Sequence, residues 1–168
     1  MSYLPSILLA EDDANDVFFL QRAFKEAGIE NPVYFARDGQ EAIDCLGGEG
    51  KYCDRKQYPV PCLLILDLKM PRKTGMDVLE WKRAQPVVHC VPAIVLSSSA
   101  HRYDIERAYR LGANAFIVKP PSLEARVNLA RVIKAFWLEF NNPPLACTEG
   151  IEAAIKLHTA VETPPTFL

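Results

Sequence analysis

The 168-residue chain contains no apolar run near the roughly 18–20 residues that span a bilayer. Its start, Met1-Ser2-Tyr3-Leu4-Pro5, lacks the basic and apolar regions of a signal peptide. Both absences predict a soluble, cytoplasmic protein with no membrane partner. Excess basic charge is missing too. The formal net charge is −2, which supplies no general attraction to phosphate backbones, so nucleic acid is not an expected partner. Cysteine occurs at Cys45, Cys53, Cys62, Cys90 and Cys147, an odd number without a CxxC pair. That argues against both a zinc site and a secreted disulfide framework, and it predicts reduced thiols. His89, His101 and His158 have no zinc-ligand or catalytic spacing beside a cysteine. Arg72-Lys73-Thr74-Gly75 has the residue types of a phosphate-binding loop without its preceding glycine spacing, so ATP hydrolysis is not expected.

What is present is an ordinary globular balance, 49% hydrophobic and 24% charged, in a length that allows one domain with an appendage. Ile7-Leu8-Leu9-Ala10 reads as a buried strand that ends abruptly in Glu11-Asp12-Asp13. With Asn15 or Asp16 as cap, Val17, Leu20, Phe24 and Ala27 recur at helical spacing until Gly28. Val33-Tyr34-Phe35-Ala36 predicts a second strand and Asp38-Gly39 a turn. Ala42, Ile43 and Leu46 then form the inner face of a helix ending at Gly47-Gly48. The segment from Glu49 to Pro61 reads as a surface loop. Cys62-Leu63-Leu64-Ile65-Leu66 is continuous rather than alternating, as expected of a strand covered on both faces, and it runs into Asp67. A third helix carries Val78, Leu79 and Lys82. Ala93-Ile94-Val95-Leu96 is a fourth strand ending in three serines, and a helix follows over Tyr103 to Leu111. Ala115-Phe116-Ile117-Val118 is a fifth strand ending in Lys119-Pro120, and a last helix spans Leu123 to Phe140. Parallel strands need crossovers that helices supply, so five such units predict an α/β fold, a doubly wound five-stranded parallel sheet with five helices.

Ligands of such sheets bind outside the carboxyl ends of the strands. Here those ends carry Glu11, Asp12, Asp67, Ser97 and Lys119. Acidic groups that converge repel one another unless some protonate or a hard divalent cation joins them. Mg²⁺ is the natural occupant, because it prefers oxygen ligands and fits a site of one or two carboxylates, a backbone carbonyl and a phosphate oxygen. Lys119 and Ser97 suit the stabilisation of phosphoryl oxygens. The constellation points to phosphoryl transfer.

The segments Leu8-Leu9-Ala10-Glu11-Asp12-Asp13, Leu64 to Gly75, Val95-Leu96-Ser97-Ser98 and Phe116-Ile117-Val118-Lys119-Pro120 resemble the receiver domain of two-component response regulators. The resemblance covers residues 6–140 and implies the flavodoxin-like receiver fold. Residues 141–168 would then be a C-terminal extension, either a short helix or a mobile tail. The Asp-Asp-Ala-Asn-Asp start, the segment Lys69 to Gly75 and Phe136-Trp137-Leu138 look most like stand-alone regulators of the phytochrome-associated group. The implied partner is a sensor histidine kinase, a bacteriophytochrome in that narrower reading. By the same resemblance Asp67 is the phosphoacceptor, a carboxylate nucleophile that takes the phosphoryl group from a phosphohistidine. Glu11 and Asp12 hold the metal together with Asp67 and the Lys69 carbonyl. Ser97 moves toward the phosphoryl oxygens, Lys119 pairs with them, and Phe116 is the switch aromatic. Asp13 falls outside the metal pair and reads as a helix-entry residue. A cis bond before Pro120 is expected.

Two departures stand out: serine rather than the commoner threonine at 97, and Phe116 without a phenol hydroxyl. Lys69 also places a cation two residues after the acceptor. It occupies the position where a haloacid-dehalogenase-like phosphatase needs a second aspartate, which argues against that class. A phospho-independent adaptor with the same fold is the alternative reading. Phe18, Phe19 and Phe24 read as core or helix-face packing. On the last helix, Leu129, Ile133, Phe136 and Phe140 share the face expected to pack on the sheet, with Trp137 at its edge and Val127 and Leu138 well off it. The apolar area left over predicts a homodimer through that helix.

Overall fold

A computed structural model describes residues 4–142. The expected C-terminal extension lies outside the described residues from 143 onward. The strands are β1 (Ile7–Ala10), β2 (Val33–Ala36), β3 (Leu63–Leu66), β4 (Ala93–Ser97) and β5 (Ala115–Val118). Between and after them come α1 (Ala14–Glu26), α2 (Gly39–Gly47), α3 (Gly75–Arg83), α4 (Arg102–Arg110) and α5 (Leu123–Ile133). All strand pairs are parallel, in the order β2-β1-β3-β4-β5. This is the doubly wound α/β sheet that the sequence predicts.

The apolar runs look continuous in sequence, but the pleat sorts them by parity. Leu8, Ala10, Leu64, Leu66 and Val95 pack with Ala42, Cys45 and Leu46 of α2 and Val78 and Leu79 of α3. Ile7, Leu9, Leu63, Ile65, Ile94 and Leu96 face the other way, onto Leu20, Ala23 and Phe24 of α1 and Val127, Ala130 and Ile133 of α5. Each fully buried aliphatic side chain here contributes about 1.5–3 kcal/mol of transfer free energy. The three central strands are therefore fixed from both faces, and their carboxyl ends form a rigid platform.

Several local expectations are corrected. The cap of α1 is Asp13, whose carboxylate accepts the Asn15 and Asp16 amides, rather than Asn15 or Asp16. The segment 49–61 is not wholly a surface loop. It contains a 3-10 turn, Gly50–Tyr52, that buries Tyr52 edge-on against Tyr58. Lys82, on the third helix as expected, is buried, its ammonium donating to the His89 carbonyl at 2.8 Å. Cys45, Cys53 and Cys62 are free thiols, but Cys90 is disulfide-bonded, against the expectation of reduced thiols throughout. No cis peptide occurs among the described residues, so the bond before Pro120 is trans, the form that X-Pro bonds intrinsically favour.

The last helix differs most. It is α-helical only to Ile133 and continues as a π-helical segment, Lys134–Phe140. Its buried face is Val127, Ala130 and Ile133, with Leu129, Trp137 and Leu138 packed at the margin, whereas Phe136 and Phe140 point outward at 52% and 76% exposure. The wider π turn takes more residues per revolution than an α turn. It rotates Trp137 and Leu138 toward the core and Phe136 and Phe140 away from it. No helix among the described residues is long and apolar enough to cross a membrane.

Candidate functional site

Ladder hydrogen bonds deliver the predicted residues to one place. Ala10 pairs with Leu66, so Glu11 and Asp67 leave adjacent strands at the same height. The Asp67 amide donates to the Ala10 carbonyl at 2.9 Å. Ser97 pairs with Val118, and the Lys119 amide donates to the Ser97 carbonyl at 2.9 Å. Gly75 closes the loop that follows Asp67: its amide donates to the Leu68 carbonyl, and a β-carbon there would lie 2.2 Å from the Asp67 carbonyl oxygen. Glycine is thus required by close backbone approach rather than by an unusual φ.

Glu11, Asp12 and Asp67 each offer a carboxylate oxygen within 4.8 Å of the others. Glu11 and Asp67 are buried, whereas Asp12 is exposed at the mouth. Such a hard, all-oxygen donor set fits a divalent cation. Asp13, committed to the α1 cap, does not join it. Burial pushes the Glu11 carboxyl above its usual range, and the neighbouring Asp67 adds to that, despite the Lys119 ammonium beside it.

Lys119 lies at the centre of this acidic group. Its ammonium is 2.7 Å from Glu11 Oε2, 2.8 Å from Asp16 Oδ2 and 3.4 Å from Asp67 Oδ2. Burial pushes its pKa down, but the bonds to Asp16 and Glu11 and the Asp67 charge outweigh burial and hold it above the ordinary lysine value. Asp67 Oδ1 accepts the Leu68 amide at 2.7 Å, which leaves Oδ2 facing the lysine. Ser97 is fully buried at the end of β4, where its oxygen accepts the Ser99 amide. Lys69 is exposed.

Two residues here escape sequence reasoning. Asp16, read as a cap candidate, instead accepts from both Lys119 and Arg126 of α5. Tyr109 of α4 accepts the Phe116 amide on its hydroxyl at 3.2 Å. β5 is an edge strand, so that outward amide has no ladder partner, and a phenol from α4 supplies one. Phe116 itself is half-buried against the α2–α3 side of the core. Of the three phenylalanines expected to pack, Phe24 is buried, Phe19 lies under the Arg126 guanidinium, and Phe18 is exposed.

A family profile of the response regulator receiver domain matches residues 7–131, which includes every strand end described above. The chain belongs to that family. Among relatives, this receiver chain is 32% identical over 140 residues to the response regulator Rcp1 of Synechocystis sp., covering 83% of this chain and 93% of that one. The phosphorylated cyanobacterial phytochrome response regulator RcpA superposes with a TM-score of 0.78 at 33% identity, over 84% of this chain and 99% of that one. A manganese-bound form of Rcp1 gives 0.74 at 31% identity, over 83% and 99%. Receiver domains of this family are signalling modules that answer to histidine kinases.

Proposed function

We propose that residues 6–140 form a receiver domain that accepts a phosphoryl group on Asp67 from a kinase phosphohistidine and signals through protein contacts. The observation that carries this reading is the meeting of a buried nucleophilic carboxylate with an ammonium and a hydroxyl on adjoining strand ends. Asp67 Oδ2 attacks phosphorus, an O–P bond forms as the histidine N–P bond breaks, and the freed imidazole remains on the kinase. Lys119 and Ser97 donate to the phosphoryl oxygens once these are present. Glu11, Asp12, Asp67 and the Lys69 carbonyl would hold Mg²⁺, which would supply positive charge against the carboxylate and phosphoryl oxygens. Phosphorylation and dephosphorylation of itself are the only reactions assigned to it. Ser97 and Phe116 form the switch.

The likeness to phytochrome regulators supports a bacteriophytochrome as the kinase. The acid-leaning charge supports the absence of affinity for nucleic acid, and the phosphoprotein is assigned to the cytoplasm without a membrane partner. Self-association as a homodimer through the last helix is supported by exposed Val132, Phe136 and Phe140. The deciding test is labelling by a small phosphodonor in Mg²⁺. The wild type should label and Asp67→Asn should not. Undiminished label in the variant removes Asp67 from its role, and signalling that persists in Asp67→Asn favours the phospho-independent adaptor.

A further inference from the structure

One carboxylate in the site serves two cations. Asp16 lies in the first turn of α1, and its Oδ2 accepts from Lys119 Nζ at 2.8 Å while its Oδ1 accepts from Arg126 Nη2 at 2.8 Å. Arg126 is anchored from α5 by two further contacts. Its Nε donates to the Pro120 carbonyl at 3.0 Å, and its guanidinium lies 5.6 Å from the centre of the Phe19 ring. The side chains of Lys119, Arg126 and Asp16 are only 11%, 13% and 22% exposed, so solvent screens these pairs incompletely. A shared acceptor couples its donors: whatever weakens one pair leaves more of the acceptor's charge for the other.

We propose that Asp16 is a positioning residue for Lys119, holding its ammonium toward α1 and away from Asp67, with a strength that Arg126 sets. The distances carry the point: the ammonium lies 2.7 Å from Glu11 and 2.8 Å from Asp16 but 3.4 Å from Asp67, and of the two nearer carboxylates only Asp16 is shared with Arg126. Phosphorylation takes the acceptor from one negative charge to about two. That draws Lys119 toward Asp67 and leaves Asp16 to Arg126 alone, so occupancy of the site changes how α5 is held to α1. This last step rests on Asp67 being the phosphoacceptor, whereas the positioning itself does not.

The test is a double-mutant cycle read by calorimetric titration of MgCl₂ into the unphosphorylated full chain. Asp16→Asn releases Lys119 toward Asp67, where it competes with the cation, and should weaken Mg²⁺ binding roughly two- to fivefold. Arg126→Gln leaves Asp16 wholly to Lys119, opens Asp67 and should tighten binding by a similar factor. In the Asp16→Asn background, Arg126→Gln should change nothing. A role confined to pinning α1 on α5 moves both single variants the same way, and a long-range charge effect survives in the double variant. Either result, or no change in either single variant, overturns the proposal. Acetyl phosphate labelling of the wild type is run beside it: failure to label defeats the phosphoacceptor reading and leaves the positioning result standing on its own.

Discussion

Removing the Lys119 ammonium while keeping its volume, as in Lys119→Met, is the sharpest perturbation of the site. The side chains of Glu11 and Asp67 are only 2% and 6% exposed, and among the described residues Lys119 is the cation within 4 Å of both. At an effective dielectric of about 20, contacts of 2.7 and 3.4 Å are each worth roughly 5–6 kcal/mol before desolvation. Desolvation takes back most of that, but loss of one partner leaves the other charges buried without compensation, a change that costs about 3–5 kcal/mol. Urea unfolding near neutral pH with a chelator present should show a loss of that size.

Two conditions should restore the stability of this variant. Millimolar Mg²⁺ replaces the missing positive charge and should bind more tightly than to the wild type. Acid does the same by protonation. The Glu11 carboxyl is already raised by burial, so its neutral form is favoured in the folded state, and the deficit should shrink as pH falls from neutrality toward the ordinary glutamate value of 4.5. A loss below about 1 kcal/mol, or one that neither Mg²⁺ nor acid reduces, would refute the electrostatic account of the site.

Gly75→Ala should destabilise the protein by about 1–3 kcal/mol, measured as a lower urea midpoint, because the new β-carbon meets the Asp67 carbonyl and Leu68 Cα, which are backbone atoms. An unchanged midpoint would mean that the loop yields freely. Burial raises the Glu41 carboxyl, but Lys51, the Arg37 amide and the Tyr52 hydroxyl outweigh it and hold its pKa at about 2. The resulting stability, on the order of 1–2 kcal/mol given the exposed Lys51, is complete above about pH 4.5 and lost as pH falls toward 2. Glu41→Gln should flatten that acid limb, and equal acid sensitivity in the two proteins would contradict the assignment. Phe136→Glu should abolish self-association in sedimentation experiments while leaving Asp67 labelling intact, whereas a wild type monomeric with and without phosphodonor would end the dimer proposal.

The strands and the residues at their ends were legible because each rests on a local signal, an apolar run followed by Glu11, Asp67, Ser97 or Lys119. Asp16 was misread for the opposite reason. A carboxylate in a first helical turn reads as a cap, and its actual partners lie 103 and 110 residues along the chain. Tyr109 likewise finds its role only once β5 proves to be an edge strand. On the last helix, the run Phe136-Trp137-Leu138 is apolar in every phase, so no periodic pattern could reveal the π turn that settles which of them is buried.

Asp38 caps α2 by accepting the Glu41 amide, and the same carboxylate takes two hydrogen bonds at 2.8 Å from the Arg72 guanidinium. Arg72 itself sits at φ 62 in the loop that follows Asp67, and next to it the Gly39 amide donates to the Lys73 carbonyl. That loop is therefore bolted to the neighbouring helix by both side chain and backbone. The opposite flank is built differently: α4 begins at His101 without a side-chain cap bond and buries only Ala108. A force arising at Asp67 thus meets a stiff wall on the α2 side and a compliant one on the α4 side. Any displacement started at Asp67 would therefore meet less resistance toward α4 than toward α2.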